Sequence, residues 1–167
     1  MNIKRILLPT DFSECAEAAV ELATALARDH NAKVILLHVY KPLCPSAGDA
    51  VAHSVAQPTR EELLERLERV KLSDPLVITQ RRLASGDPSS EILRFAQHND
   101  VDLIVLGTHG RNGVLRALMG STSESVVRGA TCPVATIRPD VKSSFRGSEL
   151  SPSEYLEQVE QPRNYTG

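Results

Sequence analysis

Short apolar runs alternate along the chain with longer segments of helical periodicity. Apolar runs at 3–10, 32–40, 75–85, 101–107 and 132–139 predict five strands, and the polar centre of the third predicts that it is half exposed. Segments 13–30, 59–70, 87–99 and 121–130 predict four helices, because their apolar residues recur every three to four positions. Such alternation is typical of βαβ units, so we expect an open five-stranded parallel sheet with helices on both faces.

Local signals support the individual helices. The third helix begins with Asp87 as a predicted N-cap and Pro88 at the first helical position, where its missing N–H costs nothing. The first helix has a continuous apolar face, which predicts that it packs on the sheet, made of Ala16, Ala19, Val20, Ala23 and Leu26. Residues 41–57 contain two prolines and a glycine with few strong formers, which predicts a loop.

The last part of the chain falls outside the alternation. Residues 141–167 are rich in Ser, Glu and Pro, so we divide the chain into a domain at 1–140 and a C-terminal appendage at 141–167. Within the appendage, Ser151–Pro152 starts a predicted short helix with Tyr155, Leu156 and Val159 on one face. Pro162 ends it, and we expect the helix to pack on its own domain or on a partner subunit.

Composition narrows the function classes. A net charge of −2 and an aromatic content of 4% with no Trp favour neither a nucleic-acid binder nor an anionic-membrane binder. No apolar run is long enough for a membrane span, and the short apolar run before Pro9 does not fit a signal peptide. The scattered cysteines Cys15, Cys44 and Cys132 indicate reduced structural thiols. We therefore expect a cytoplasmic protein without a metal site.

The segment 107–122, GTHGRNGVLRALMGST, raises a functional question because it is unusually rich in glycine. Gly107 ends a predicted buried strand, and Gly120 precedes the helix that starts at Ser121. A helix N-terminus attracts anions through its unpaired N–H groups, and glycines let the backbone approach a phosphate. An equally simple interpretation is an S-x-x-E capping box of Ser121 and Glu124, which would satisfy those N–H groups internally.

The spacing of these glycines separates them from two common phosphate motifs. The segment contains neither G-x-x-x-x-G-K-[ST] nor G-x-G-x-x-G. What it contains is Gly107-x2-Gly110-x9-Gly120-Ser121, which resembles the motif of the ATP-binding branch of the universal stress protein family. The segments PTDFSE (9–14), LLHV (36–39), DLIVLGTHGR (102–111) and CPVATIRP (132–139) resemble that family too, so the likeness covers about residues 1–140.

The resemblance implies a fold and a site. The implied fold is the adenine-nucleotide alpha-hydrolase-like, Rossmann-like single domain, with strand order 3-2-1-4-5. Asp11 resembles the family's acidic residue near the adenosine, Pro9 its apolar neighbour, and Val39 the position that lines the adenine. Leu106 and Gly107 resemble the strand end beside the nucleoside. The positions that resemble the phosphate cradle are His109, Gly110, Gly120, Ser121 and Thr122.

Several of these residues have an alternative structural explanation. Asp11 has the residue type and position to be the N-cap of the first helix, with Glu14 completing a D-x-x-E box. His109 and Arg111 either contact phosphate or are solvated loop residues. His38 lies within an apolar strand and is interpreted as a hydrogen-bonded core histidine.

Two classes of function follow. The first is an ATP-binding regulatory protein that acts in a stress response through nucleotide-dependent conformation or partner binding, with Mg²⁺ on the phosphates. The second is a slow ATPase or autophosphorylating enzyme. We favour the first, because the cradle has no lysine and no motif supplies a second carboxylate as a base. The family resemblance and the unprotected strand at 132–137 also predict a homodimer.

Overall fold

The computed structural model describes residues 2–41, 58–108 and 120–138. Several predictions fall on other parts of the chain and lie outside the described residues. They concern the loop at 42–57, Cys44, the C-terminal appendage at 141–167, and the candidate phosphate contacts His109, Gly110 and Arg111.

The described residues form alternating strands and helices. In chain order they are β1 (Arg5–Pro9), α1 (Glu14–His30), β2 (Lys33–Tyr40), α2 (Arg60–Arg69), β3 (Thr79–Ser85), α3 (Pro88–His98), β4 (Leu103–Gly107), α4 (Ser121–Gly129) and β5 (Val134–Ile137). All strand pairs are parallel, and the sheet order is β3-β2-β1-β4-β5. The predicted parallel α/β fold and the strand order implied by the resemblance are both confirmed.

The core consists of two apolar layers on opposite faces of the sheet. One layer packs α1 and the buried Leu67 of α2 against alternate side chains of the strands, including Ile6 and Leu36. The other packs α3 and α4 against the intervening side chains, such as Leu7 and Ile104. Successive side chains of a strand point to opposite faces, so the strands that are buried on both faces, β1, β2 and β4, are apolar at consecutive positions.

Side-chain caps begin three of the four helices within the described residues. Ser13 caps α1, and Thr59 caps α2 in a reciprocal capping box with Glu62. Asp87 caps α3 with Pro88 in its first turn, as predicted. The predicted apolar face of α1 is buried throughout. These caps fix the residues at which α1, α2 and α3 begin.

The third strand starts later than predicted. Residues 75–78 are not part of β3, which begins at Thr79. The Asp74 carboxylate accepts a hydrogen bond from the Leu76 N–H at 2.9 Å, and this local turn competes with the sheet ladder. Leu76 and Ile78 are 88% and 69% exposed, so the apolar residues at the start of the predicted strand lie outside the sheet. The predicted half exposure of β3 itself is confirmed.

Two further findings concern the cysteine thiols and the lengths of the helices. Cys15 is buried and Cys132 half-buried, and both are free thiols. Burial raises the pKa of the Cys132 thiol, so this group stays protonated at neutral pH. Across the described ranges, no helix has the length and apolar character needed to cross a membrane.

Candidate functional site

The strand order creates a crevice between β1 and β4. The chain moves outward from β1 to β2 and β3, and then returns to place β4 and β5 on the other side of β1. In open α/β sheets, ligands bind outside the carboxyl ends of the strands where the direction of winding reverses. The connections that follow β1 and β4 therefore form the candidate site, and both carry residues singled out in the sequence.

Three apolar candidates lie on one face of the sheet at this edge. Leu106 is buried in the layer beneath α3 and α4, and Val39 packs against the same layer. Pro9 follows Leu7 by two positions in β1 and so lies on that face too. The structure thus brings the three predicted apolar positions together on the side of the sheet where α4 begins.

The turn between β1 and α1 is held by Thr10. Its N–H donates to the Leu37 carbonyl at 2.9 Å, and its hydroxyl oxygen accepts from the Phe12 N–H at 3.1 Å. Its carbonyl oxygen lies 2.7 Å from Nδ1 of His38, so that nitrogen carries the proton. Thr10 is buried, and it ties the turn that presents Asp11 to the neighbouring strand β2.

Asp11 is half-buried at the carboxyl edge but does not cap α1. The N-cap is Ser13, whose hydroxyl oxygen accepts from the Ala16 N–H at 3.3 Å. Asp11 Oδ1 in turn accepts from the N–H and the hydroxyl of Ser13, at 3.1 and 2.6 Å. The predicted D-x-x-E box of Asp11 and Glu14 is therefore wrong, because the cap lies two residues further along.

Phe12, between these two residues, has an unusual backbone conformation. Its φ of 63° lies in the left-handed region, which costs about 1–2 kcal/mol for a residue with a side chain. The ring packs against the α1/α2 layer, with its centroid 4.5 Å from that of His38. His38 is half-buried and hydrogen-bonded, as interpreted from the sequence. Side-chain packing thus stabilises a turn that backbone preference disfavours.

The packing of Gly107 explains why this position lacks a side chain. A Cβ built on Gly107 would lie 2.7 Å from the Cβ of Cys15 and 2.8 Å from its carbonyl carbon and oxygen. The first turn of α1 therefore packs directly on the end of β4, and only glycine allows this approach. The structure supplies an internal reason for the first glycine of the motif, in addition to the role predicted for it near the nucleoside.

The N-terminus of α4 differs from the other three. Its N-cap is Gly120, and Ser121 is the first helical residue, so the predicted capping box of Ser121 and Glu124 is wrong. Gly120 has no side chain to accept from the N–H groups of the first turn, which have no intrahelical partner. Ser121 is exposed and Thr122 is half-buried there. The helix thus begins with bare backbone and hydroxyl groups.

The ends of the glycine-rich segment are fixed to each other. The Gly120 N–H donates to the Thr108 carbonyl, and the Ser123 hydroxyl donates to the Gly107 carbonyl at 2.8 Å. The Thr108 N–H donates to the Ile137 carbonyl of β5 at 2.9 Å. The start of α4 is thereby anchored beside the end of β4, next to the crevice.

Sequence reasoning missed four residues that organise this edge. Thr10, Phe12, Ser13 and Ser123 position the candidate contacts through hydrogen bonds or ring packing. Serine side chains can form such hydrogen bonds, so the residue types of Ser13 and Ser123 were compatible with these roles. The groups to which they bond became known only from the folded structure. Within the described parts of the chain, no three His, Cys, Asp or Glu side chains cluster as a metal site.

Comparison with known proteins gives consistent matches. The model of the universal stress protein family matches residues 2–138. Universal stress protein MJ0531 of Methanocaldococcus jannaschii is 32% identical over 143 residues, which cover 83% of this chain and 84% of the relative. The solved structure of universal stress protein UspA from Lactobacillus plantarum matches with a TM-score of 0.65 and 31% identity, covering 83% of this chain and 99% of that one.

A third match is a structure solved with a bound nucleotide. The universal stress protein from Archaeoglobus fulgidus, solved in complex with dAMP, has a TM-score of 0.56 and 23% identity, covering 82% of this chain and 99% of that one. At this identity the likeness is one of fold. It adds that this fold accommodates an adenine nucleotide in that protein.

Proposed function

Because this chain belongs to the universal stress protein family, we propose that it binds an adenine nucleotide, ATP foremost, in the crevice between β1 and β4. In this proposal the nucleotide changes the conformation of the domain or its affinity for a partner protein, and the output is regulatory, in a stress response. The observation that carries the proposal is the uncapped start of α4 beside three apolar candidates on one sheet face.

We assign the phosphates to the N-terminus of α4. The helix presents N–H groups and the positive end of its dipole there, and Gly120 allows a phosphate oxygen to approach the backbone. The hydroxyls of Ser121 and Thr122 are suited to donate further hydrogen bonds. His109 and Gly110 complete the cradle in this proposal, although they lie outside the described residues.

We assign the nucleoside to the ends of β1, β2 and β4. Val39, Pro9 and Leu106 share the sheet face at this edge and supply apolar contacts for the base. Asp11 stands at the end of β1, where a carboxylate is suited to accept hydrogen bonds from a ribose. Its contacts with Ser13 fix the orientation of the carboxylate. The backbone of Gly107 borders this end of the site, and its carbonyl oxygen accepts a hydrogen bond from the Ser123 hydroxyl.

We propose binding rather than rapid hydrolysis as the main activity. Mg²⁺ enters with the polyphosphate and is held mainly by phosphate oxygens and water. The alternative, a slow ATPase or autophosphorylating protein, needs a base positioned on the attacking group. Asp11 Oδ1 accepts hydrogen bonds from the N–H and the hydroxyl of Ser13, so this oxygen already takes part in ordering the β1–α1 turn. We expect turnover far below the median enzyme rate of about 10 per second.

A titration of ATP into a cradle variant tests the phosphate assignment. Gly120→Val adds a branched side chain at the helix start and should weaken ATP binding by at least about a hundredfold, some 2.7 kcal/mol. Ser125→Val is the matched control, since Ser125 is an exposed residue on the same helix, away from its first turn. Calorimetry should find the control unchanged, and equal affinity in both variants would contradict the assignment.

We propose that β5 forms the contact between two copies of the chain in a homodimer. It is an edge strand of the sheet, with half-buried Val134 and Ala135 and exposed Thr136, and an unprotected edge readily pairs with another strand. An antiparallel pair of identical β5 strands gives a closed two-fold interface. Val134→Lys should yield monomers in light scattering, whereas Gln80→Lys on the opposite edge strand should not. A dimer that survives Val134→Lys would place the interface elsewhere.

We also propose a cytoplasmic location. The free thiols of Cys15 and Cys132 are consistent with a reducing compartment.

A further inference from the structure

A cleft between α1 and α2 lies on the face of the sheet that these helices cover, and it adjoins the β1–α1 turn of the candidate site through Thr10 and Phe12. It encloses about 520 Å³. Its apolar lining includes Phe12 at the end nearest the strand ends, together with Ala16, Val20 and Val70. Such a cleft is large enough to accept several side chains of a packed element.

The two walls of the cleft carry opposite charges. The α1 wall presents Glu17 and Glu21, and the α2 wall presents Arg66, Arg69 and, just after the helix, Lys71. All of these side chains are exposed at the rim. A segment that fills the cleft should therefore have an apolar stripe, bordered by an acidic residue on the side facing α2 and by an uncharged residue on the side facing α1.

The position of the α2 wall is fixed by the sheet. The Arg81 guanidinium of β3 donates to the carbonyl oxygens of Leu67 and Val70, at 3.0 Å each, and so closes the C-terminal end of α2. Leu67 is completely buried beneath this wall. The cleft is therefore a property of the packed domain rather than of a frayed helix end.

We propose that residues 151–161 of the same chain dock in this cleft as a short helix. The sequence SPSEYLEQVEQ has an apolar stripe of Tyr155, Leu156 and Val159, and it carries three acidic residues and no cation. In a helix, Glu160 borders the Leu156 side of the stripe, with Glu157 behind it. Gln158 borders the Tyr155 side, with Glu154 behind it and further from the stripe. The acidic border faces the α2 wall, and the uncharged glutamine faces the glutamates of α1.

The chain is long enough to reach the cleft. The described structure ends at Arg138, just beyond β5, and residues 139–150 provide a twelve-residue connection. Twelve residues span up to about 40 Å when extended. β5 lies two strands from β1, about 10 Å at the usual spacing, and α1 adds roughly another 10 Å to cross. The linker therefore needs no full extension.

Charge favours this segment over residues 42–57, the other stretch outside the description that lies close in sequence to α2. That stretch contains a single acidic residue, Asp49, and so offers little to the three cations of the α2 wall. In a helix, the segment 151–161 offers two carboxylates on the side that faces α2, Glu157 and Glu160.

Amide hydrogen exchange on the full-length protein tests the proposal. The wild type should protect the amides of 153–160. The double variant Arg66→Glu/Arg69→Glu should reduce that protection by about tenfold, since two attractive pairs become repulsive. Adding Glu157→Lys and Glu160→Lys should restore it. Arg60→Glu, on the same helix but away from the cleft, is the matched control and should leave the protection unchanged.

The same experiment contains the outcomes that would overturn the proposal. Unprotected amides at 153–160 in the wild type would rule out docking. Protection that persists in the Arg66→Glu/Arg69→Glu variant would locate the segment elsewhere. Protection at 42–57 that responds to these substitutions, in place of 153–160, would identify the other segment as the occupant. Exchange of the α2 amides, read in parallel, separates loss of docking from fraying of the helix.

Discussion

Helices α3 and α4 pack on the same apolar layer, but only the N-terminus of α3 has a side-chain cap. Asp87 Oδ1 accepts from the Ser89 hydroxyl at 2.6 Å and from the N–H and hydroxyl of Ser90, at 3.0 and 2.9 Å. α4 begins instead at Gly120, without a side-chain cap. The carboxylate at α3 provides internally the negative charge that a helix start attracts, whereas α4 leaves that role to a ligand in our proposal.

The glycines that precede the two helices differ in a corresponding way. Gly86, just before Asp87, has a φ of +144°, a conformation that residues with side chains rarely adopt. Gly120 has a φ of −71° and a ψ of 155°, which any residue adopts easily. Backbone conformation explains the glycine at α3 but not the one at α4. The close approach of a phosphate is the explanation we propose for Gly120.

The largest effect should come from making α4 resemble α3. Gly120→Asp should introduce an N-cap carboxylate without backbone strain and increase the free energy of unfolding by a few tenths of a kcal/mol. The same carboxylate would occupy the anion position and repel phosphate, so ATP affinity should fall by at least about a hundredfold, near 2.7 kcal/mol. Urea unfolding and calorimetry measure the two quantities. Tight ATP binding in a stabilised variant would break the proposed contrast between the two helices.

A smaller effect is expected at Gly107, where the connection to α4 begins. Gly107→Ala places a Cβ within 2.8 Å of the backbone of Cys15, so α1 or β4 must shift. Such overpacking typically costs about 1–3 kcal/mol, and we expect about 2 kcal/mol in urea unfolding. Cys15→Ala should not rescue the variant, because the overlapping carbonyl remains. Full rescue would mean that the thiol, and not the backbone, sets the limit.

The sequence was sufficient to predict the element order because periodicity and local caps agree along most of the domain. Asp87 with Pro88 marked the start of α3, and the buried face of α1 was correct at each predicted position. The errors occur where local signals compete. Asp11 and Ser13 are both good N-caps two residues apart, and Phe12 adopts a conformation that residue type does not predict.

The candidate site was less predictable because its organisation depends on distant contacts. Thr10 is joined to His38 across 28 residues, and Gly107 packs on Cys15 across the sheet edge. The glycine spacing identified the segment but not the reason for each glycine. The predicted contacts to nucleotide stay predictions at every position, from Asp11 and Val39 to the phosphate cradle.

The smallest effect concerns the cap that α4 lacks. Hydrogen bonds from the Ser89 hydroxyl and from Ser90 lower the pKa of Asp87 from 3.8 to about 2. A lowered pKa in the folded state means that the stabilisation is complete above about pH 5 and is lost as the pH falls through about 2. Asp87→Asn keeps an acceptor at every pH. The stability advantage of the wild type over Asp87→Asn should therefore be constant above pH 5 and shrink below pH 4.

Replacing Ser89 and Ser90 with Ala should raise the pKa of Asp87 and shift this loss of stability to higher pH, as followed by NMR titration of the Asp87 carboxyl carbon. An unchanged titration in the Ser89→Ala/Ser90→Ala variant would mean that the serine hydroxyls do not set the charge of this cap.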